Sequence, residues 1–329
     1  MTQPRPPSGR PKRIGVLTGG GDAPGMNAAI RAVVRKAVFE GLSVVGVQRG
    51  YAGLIEGDFR PLDQRSVADI IHRGGTILQT ARSEEFRTPE GFAAACSRLR
   101  EAGIDGLVAI GGGGTFRGAL ALVGAGFAVV GVPGSIDNDI PGTEYSIGFD
   151  TAVDTALDAI ERLRDTAFAH SRVFLVEVMG RDTGFIALAA ALAGGAEFVL
   201  VPEIAFDIGA LCEGIKTSYT RGKRHSIVVV AEGAASAIEL GQKVREATGL
   251  DTRVTVLGHV QRGGRPTGFD RTLASLMGAA AVDHLLQGLT GQMMAWRCGR
   301  VAPVPLADVV AQRKEIDRTL YDLARILAI

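Results

Sequence analysis

The sequence has few aromatic residues and almost no net charge. Phenylalanine, tryptophan and tyrosine make up 5% of its 329 residues, too few for the aromatic platforms on which nucleic-acid bases stack. The formal net charge is +1, and acidic and basic residues are interspersed, so the chain lacks the basic footprint of a nucleic-acid-binding protein. We therefore expect no nucleic-acid partner.

Cysteines and long apolar runs are also scarce. Three cysteines, Cys96, Cys212 and Cys298, lie far apart without a CxxC pair, so we expect buried thiols and neither a disulfide framework nor structural zinc. The apolar runs are short and broken by glycine, which predicts no membrane span. Residues 1–12 are rich in proline and arginine and lack an apolar signal core, so we predict a disordered lead-in and a cytoplasmic protein.

Glycine is abundant, with 45 residues, and four of them are consecutive at Gly111, Gly112, Gly113 and Gly114. An apolar run over 106–110 precedes them, and a helix-like segment follows from Thr115. A strand, a glycine loop and a helix together present bare N–H groups and a positive helix end to a phosphate. A tight turn that needs glycine for its backbone angles is the alternative. Four successive glycines favour the phosphate site.

Predicted strands alternate with predicted helices along the chain, which indicates the α/β class with mostly parallel sheets. The length favours two domains, and the pattern restarts near Gly148. Predicted helices include a short one over 66–72 and a single long one over 307–327. Nearly every polar cluster follows a strand, so we expect the ligand at the carboxyl ends of the strands.

Two common nucleotide motifs are absent. The glycine clusters fail G-x-G-x-x-G because Pro24 and Phe116 stand at the third glycine position, and no G-x-x-x-x-G-K-[ST] occurs. The main sequence evidence for a dinucleotide oxidoreductase or a P-loop NTPase is therefore missing. The acidic segment 137–139 is either a turn or a base with a second acid near a cation, the arrangement that phosphoryl transfer needs.

Several basic side chains follow the predicted strands. Each is alone a typical surface residue, but together they suit an anionic substrate that guanidinium groups bind in bidentate fashion. The histidine of a glycine-flanked loop is a core, surface or ligand-contacting residue. These side chains are Arg82, Arg172, Arg181, Arg253, Arg262 and His259.

Four segments resemble the bacterial-type ATP-dependent 6-phosphofructokinase family. They are IGVLTGGGDAPGMN (14–27), PGSIDND (133–139), VEVMGR (176–181) and VLGHVQRGG (256–264). The resemblance covers about residues 13–300 and implies transfer of the ATP γ-phosphoryl group to the 1-hydroxyl of fructose 6-phosphate, a glycolytic step, with Mg²⁺ as cofactor.

The resemblance also implies roles for individual residues. Asp137 would be the base, Ser135 would stand beside it where the family usually has threonine, and Arg181 would stabilise the transferring phosphoryl group. The implied sugar-phosphate ligands also include Met179, Gly180, Glu232, His259 and Arg262, with Arg172 and Arg253 reaching in from a neighbouring subunit. The implied ATP site consists of Gly21, Tyr51, Arg82, Ser83, Arg87, Gly111, Gly112, Gly113, Gly114 and Thr115, although Ser83 stands where an aromatic residue is common.

The implied assembly is a homotetramer of two Rossmann-like α/β/α lobes. The nucleotide-binding lobe would comprise 13–139 and 252–302, and the sugar-phosphate and effector lobe 140–251 and 303–329. An allosteric site for ADP or phosphoenolpyruvate would include Arg31, Arg35, Arg164, Glu197, Arg221, Lys223 and His225. Gln64 stands where the family usually has an arginine.

Two glycine positions bear on the phosphoryl donor. Pyrophosphate-using relatives carry aspartate at the position of Gly114 and lysine at that of Gly134, so glycine at both favours ATP.

Gly113 departs from the family pattern, because it stands where an aspartate usually holds Mg²⁺. Asp139 is a possible substitute ligand. Two hypotheses follow: an active kinase with weakened Mg²⁺ dependence, or a non-catalytic or impaired paralogue that binds sugar phosphate or nucleotide as a regulatory subunit. A pyrophosphate-dependent enzyme or a kinase of another phosphosugar is a further alternative.

Overall fold

The computed structural model describes residues 11–328 as two compact units. Unit 1 contains the residues up to 135, 140–150 and 262–314, and unit 2 contains 136–139, 151–261 and the residues from 315 onwards. Most of the predicted lead-in, residues 1–10, lies outside the described residues, as does residue 329.

The strands and helices are bounded as follows. The strands are β1 (Arg13–Gly19), β2 (Ser43–Val47), β3 (Phe59–Leu62), β4 (Gly106–Gly111), β5 (Ala128–Pro133), β6 (Val173–Val178), β7 (Phe198–Leu200), β8 (Ser226–Ala231), β9 (Thr252–Val256), β10 (Gln292–Arg297) and β11 (Arg300–Pro305). The helices are α1 (Met26–Phe39), α2 (Gly50–Glu56), α3 (Pro89–Glu101), α4 (Gly113–Gly124), α5 (Phe149–His170), α6 (Phe185–Gly194), α7 (Ile208–Thr220), α8 (Ala237–Thr248), α9 (Gly268–Leu286), α10 (Leu306–Ala311) and α11 (Arg318–Leu327).

Unit 1 is built on a seven-stranded sheet in the order β11-β10-β5-β4-β1-β2-β3. Only its two edge strands, β3 and β11, are antiparallel to their neighbours among the described residues. Side chains of α2, α3, α4 and α10 pack on one face, where Leu17, Leu107 and Phe116 are fully or almost fully buried. Because β1 and β4 are covered on both faces, they read as nearly continuous apolar runs.

Unit 2 is built on a four-stranded parallel sheet in the order β7-β8-β6-β9. One face packs against α7 and α8, whose starts are set by Asp207 and Ser236, side chains that accept hydrogen bonds from first-turn N–H groups. Helix α6 contacts β8, and α11 packs on α6. Both sheets place the β–α loops at the carboxyl ends of parallel strands, where the predicted site residues lie.

The unit boundaries differ from the predicted lobe boundaries. Strand β9 pairs with β6, so residues 252–261 lie in unit 2 and the chain returns to unit 1 at Arg262. Strand β11 pairs with β10, so residues 303–314 lie in unit 1. Local sequence patterns do not specify these pairings, because both depend on contacts between distant segments.

Two predicted helices are wrong. Residues 64–69 form successive turns instead of a helix, because Asp63 binds the N–H and hydroxyl of Ser66 and Asp69 has φ +53°. The predicted helix 307–327 is two helices, since Gln312 is extended and Asp317 starts a new helix by accepting from a first-turn N–H.

The cysteine prediction holds for two of the three thiols. Cys96 and Cys212 are buried, and burial raises the pKa of each. Cys298 is exposed, because it occupies the tight hairpin between β10 and β11 with φ +50°. Within residues 11–328, no helix is both long and apolar enough to cross a membrane.

Candidate functional site

The ends of β1 and β4 bring two glycine segments together in unit 1. Gly19 pairs in register with Gly111. A Cβ at Gly111 would clash with the Gly19 carbonyl oxygen and the Thr115 hydroxyl, and one at Gly19 would lie 2.7 Å from that hydroxyl. The Thr115 side chain therefore fills the space between the two segments. Its Oγ1 is buried and finds no hydrogen-bond partner among the described residues.

Helix α4 begins inside the glycine run, at Gly113 instead of the predicted Thr115. Gly112 is the N-cap and supplies no side-chain cap, so the first-turn N–H groups have neither an intrahelical partner nor a side-chain partner within residues 11–328. Such groups and the helix dipole bind anions. The Cβ of Ser135 lies 3.8 Å from a Cβ placed on Gly112, so the predicted serine flanks this helix start.

The two glycines that bear on the phosphoryl donor have different surroundings. Gly114 is exposed, and the nearest atom to a Cβ there would be 3.9 Å away. A Cβ at Gly134 would lie 3.2 Å from the Met26 methyl group, and Gly134 is buried. The open space therefore lies at Gly114.

The loop after β1 is held from two sides. The Gly20 carbonyl, on a residue with φ +83°, accepts a hydrogen bond of 2.8 Å from the Thr80 hydroxyl. The Arg262 guanidinium covers Gly21, since a Cβ there would lie 3.2 Å from Arg262 Cζ. The structure thus places a predicted sugar-phosphate ligand beside a predicted nucleotide ligand.

Tyr51 supports α4 from the interior. Its ring stacks on Phe86 at 4.2 Å between centroids, and its hydroxyl donates a hydrogen bond of 2.6 Å to the Thr115 carbonyl. Burial raises the pKa of Tyr51 above its ordinary value. Its hydroxyl therefore serves the helix instead of pointing to an open surface.

The other predicted nucleotide residues lie on the segment before α3. Arg82 and Arg87 are exposed, and Arg87 forms an exposed ion pair of 3.0 Å with Glu84. The Ser83 hydroxyl accepts from the Phe86 N–H at 3.2 Å. Ser83 therefore starts the 3₁₀ turn that places Phe86 against Tyr51.

In unit 2, two side chains hold the loop after β6. The Gln261 side-chain oxygen accepts from the Met179 N–H at 2.8 Å. One oxygen of Glu232 accepts from the N–H groups of Gly180 and Arg181, at 3.3 and 2.8 Å. Four predicted substrate ligands therefore lie together, and Glu232 also has a role in shaping the loop.

Three non-glycine residues of unit 2 have left-handed backbone conformations, and two of them lie in segments predicted to belong to the site. Arg181 and Asn138 both have φ +53°, a conformation that costs of order 1–3 kcal/mol and clusters at functional sites. Asp137 is 7% exposed, Asp139 is half-buried, and the Arg181 side chain is exposed. His259 is exposed in the 3₁₀ turn that follows β9.

Arg172 and Arg253 share one carboxylate. Asp251 accepts from Arg172 Nε at 2.7 Å and lies 3.2 Å from Arg253 Nε. The Arg172 hydrogen bond, followed by the charges of both arginines, lowers the pKa of Asp251. Asp251 therefore holds two predicted phosphate ligands side by side.

The predicted effector residues are divided between the units. In unit 1, burial and the charge of Arg35 lower the pKa of Arg31. In unit 2, Glu197 is 6% exposed and lies 2.9 Å from Lys223 Nζ and 3.8 Å from Arg164 Nη1.

Two further predicted effector residues of unit 2, Arg221 and His225, lie two residues before and two residues after Lys223. His225 packs edge-on against Phe168, at 5.9 Å between ring centroids. Arg221 is exposed at the C-cap of α7.

The described part of the chain contains no cluster of several metal-binding side chains. No group of three or more His, Cys, Asp or Glu side chains there could hold a metal ion. The residues around the start of α4 do not fit a Mg²⁺ cage, because glycines occupy the whole first half-turn.

A sequence model of the family described as Phosphofructokinase matches residues 13–285, most of the chain. The chain belongs to the phosphofructokinase family. A phosphofructokinase from Thermus thermophilus, named ATP-dependent 6-phosphofructokinase 1, is 60% identical over 321 residues, 97% of this chain and 100% of that protein. The ATP-dependent 6-phosphofructokinase of Natranaerobius thermophilus is 54% identical over 318 residues, again 97% of this chain and 100% of the relative.

Among solved phosphofructokinases, the crystal structure of the Pichia pastoris protein in the T-state matches with a TM-score of 0.87 and 35% identity. The match covers 98% of this chain and 39% of the yeast chain, so this chain spans about two fifths of that longer protein. The likeness confirms the predicted α/β fold class with mostly parallel sheets.

Sequence reasoning missed two residues that organise this phosphofructokinase site. Gln261 lies inside the segment 256–264, which resembles the family, but the sequence does not show that its side chain is buried. Asp251 is adjacent to a strand and two residues from Arg253, a spacing that signals a local ion pair.

Proposed function

We propose that this chain transfers the γ-phosphoryl group of ATP to the 1-hydroxyl of fructose 6-phosphate, giving fructose 1,6-bisphosphate and ADP. The observation that carries the proposal is 60% identity, over the full length of the relative, to a protein named ATP-dependent 6-phosphofructokinase 1. Such identity favours an active kinase of this glycolytic step over a non-catalytic regulatory subunit.

Unit 1 would bind the nucleotide. The uncapped start of α4 offers N–H groups and a positive helix end to the phosphates. The buried Thr115 hydroxyl, for which residues 11–328 offer no hydrogen-bond partner, lies beside two glycine segments and supports the same assignment. Open space at Gly114 suits a donor larger than pyrophosphate.

Unit 2 would supply the base and most of the sugar-phosphate ligands. Asp137 would accept the proton of the 1-hydroxyl, and Arg181 would stabilise the transferring group, because phosphoryl transfer depends mainly on positioning and electrostatics. Arg172 and Arg253 would bind the sugar phosphate of a neighbouring subunit, and their shared carboxylate supports this pairing.

When bound, Mg²⁺ would supply positive charge that neutralises the ATP phosphates. Because position 113 carries no carboxylate, Asp139 is the protein ligand that we propose for the ion, and we expect a weakened Mg²⁺ dependence. A homotetramer, a cytoplasmic location and regulation by ADP or phosphoenolpyruvate complete the proposal. The cluster of Arg164, Glu197 and Lys223 supports an anion site for regulation.

A coupled assay for fructose 1,6-bisphosphate tests the proposed function. We expect turnover with ATP and little with pyrophosphate across a Mg²⁺ titration. Asp137→Asn should lower kcat by about 10²- to 10⁴-fold, the usual contribution of a general base. The control Asp158→Asn alters only an exposed ion pair of α5 and should retain full activity.

Two outcomes would redirect the proposal. Binding of fructose 6-phosphate without any turnover at saturating Mg²⁺ would indicate the regulatory alternative. Faster turnover of sedoheptulose 7-phosphate than of fructose 6-phosphate would indicate a kinase of another phosphosugar.

A further inference from the structure

The first turn of α4 faces a positively charged side chain that the assigned nucleotide ligands do not include. Cβ atoms placed on Gly113 and Gly114 would lie 3.9 Å from Arg117 Nη1 and 3.9 Å from Arg117 Nη2, respectively. The guanidinium thus spans both glycines from one turn further along the helix. Its two terminal nitrogens border the surface where the uncapped N–H groups emerge.

Arg117 is exposed, and no acidic side chain of residues 11–328 pairs with it. This distinguishes it from two other exposed arginines of unit 1, Arg87 and Arg98, which pair with Glu84 and Glu101. A guanidinium has five donors in a planar fork that matches phosphate oxygens. Arg117 therefore adds a positively charged side chain to the backbone N–H donors of the helix start.

A second feature points to a ligand at the same place. Thr115 is 2% exposed, and its buried hydroxyl has no hydrogen-bond partner among the described residues and lies 3.7 Å from a Cβ placed on Gly20. It lies between the Gly19 and Gly111 segments, beside the start of α4. A buried hydroxyl without a partner is uncommon, and a ligand oxygen would satisfy it.

We propose that Arg117 is a ligand of the nucleotide phosphates and supplies positive charge that a loop-anchored metal ion would otherwise supply. This inference rests on the proposed function, because it takes ATP as the occupant of the α4 site. Gly113 is essential to it: a carboxylate at position 113 would lie one helical turn before Arg117, the spacing of an i,i+4 ion pair, and would compete with phosphate for the guanidinium.

Arg117→Gln tests the proposal through ATP affinity measured calorimetrically in EDTA, and again with excess Mg²⁺. Glutamine keeps the helix propensity and the polar stem but removes the charge. We expect metal-free ATP to bind about tenfold more weakly, the lower end for a charge-assisted hydrogen bond, and a smaller loss with Mg²⁺. The affinity of Arg117→Lys for metal-free ATP should fall between those of the parent chain and Arg117→Gln. The matched control is Arg98→Gln, which removes a charge from an exposed helix face of the same unit and should leave the affinity unchanged.

Gly113→Asp supplies the second arm of a double-mutant cycle. Alone, it should weaken metal-free ATP binding by about as much as Arg117→Gln, because the new carboxylate engages Arg117 and repels phosphate. The double variant Gly113→Asp/Arg117→Gln should lose less affinity for metal-free ATP than the product of the two single fold-losses. Independent, multiplicative losses would overturn the proposed competition between carboxylate and phosphate.

The parent chain separates this proposal from the proposed function. Unchanged ATP affinity in Arg117→Gln, with or without Mg²⁺, would overturn the role of Arg117 whatever the turnover. A parent that binds metal-free ATP through Arg117 but makes no fructose 1,6-bisphosphate would overturn the proposed function alone. A parent that binds no ATP would overturn both.

Discussion

Gln261→Met removes the side chain that holds the loop after β6. Gln261 is completely buried, and its amide bridges two backbone groups of unit 2. It accepts from the Met179 N–H at 2.8 Å and donates to the Ala152 carbonyl at 3.2 Å. Methionine matches the length of glutamine but can make neither hydrogen bond.

The magnitude follows from these two contacts. The Met179 N–H, left buried without a partner, costs about 1–3 kcal/mol, whereas the Ala152 carbonyl lies in α5 and keeps its helical hydrogen bond, so the loss of the second contact costs about 0.5–1.5 kcal/mol. The substitution should therefore lower the free energy of unfolding of unit 2 by about 1.5–4.5 kcal/mol. Because Met179 lies among the proposed sugar-phosphate ligands, the KM for fructose 6-phosphate should rise more than kcat falls.

Urea titration gives the stability, hydrogen exchange gives the protection of the Met179 amide, and the coupled assay gives KM and kcat. The control is Gln242→Met, which removes one exposed hydrogen bond to Glu246 on α8. A Gln261→Met chain that keeps amide protection and unfolds within about 0.5 kcal/mol of the control would refute the bridging role.

Two other predictions concern Tyr51 and Asp251. Tyr51→Phe should lower the free energy of unfolding, measured by thermal unfolding, by about 1–2 kcal/mol, because the Thr115 carbonyl loses a buried hydrogen-bond partner. The KM for ATP should change less than twofold. A large change in KM with unchanged stability would contradict this role. Asp251 has a pKa below its ordinary value of 3.8, chiefly because Arg172 hydrogen-bonds to it, so its stabilising effect is complete above that value and is lost as the pH falls through the lower folded pKa. An NMR titration of its carboxyl group should give that lower midpoint, and a midpoint at or above 3.8 would refute it.

Much of the fold could be predicted from local patterns. The buried strands β1 and β6 are nearly continuous apolar runs, the pattern that predicts a strand buried on both faces. Helix α3 follows from Thr88, which accepts from the Gly91 N–H, and from Pro89 at the first helical position. These signals depend only on neighbours in the sequence.

The rest depends on contacts between distant segments. Glycine is a poor helix former, so the sequence does not predict that α4 starts at Gly113. That start follows from the tertiary position of Thr115, whose side chain must reach Gly19 and whose carbonyl must meet Tyr51. The role of Gln261 likewise requires contacts with Met179 and Ala152, which are 82 and 109 residues away.

The Thr115 side chain fills the space between the Gly19 and Gly111 segments, and this contact also limits which substitutions the sequence can accept during evolution. Alanine at Gly19 would meet mainly the Thr115 side chain, with the Thr115 Cβ itself 3.5 Å away, so a smaller residue at 115 would make room. Alanine at Gly111 would also meet the Gly19 carbonyl oxygen, which no side-chain change removes. A side chain at position 19 is therefore tolerated only after a smaller residue has replaced Thr115, so the two positions are epistatic. At position 111, only glycine fits in any sequence that keeps this strand pairing.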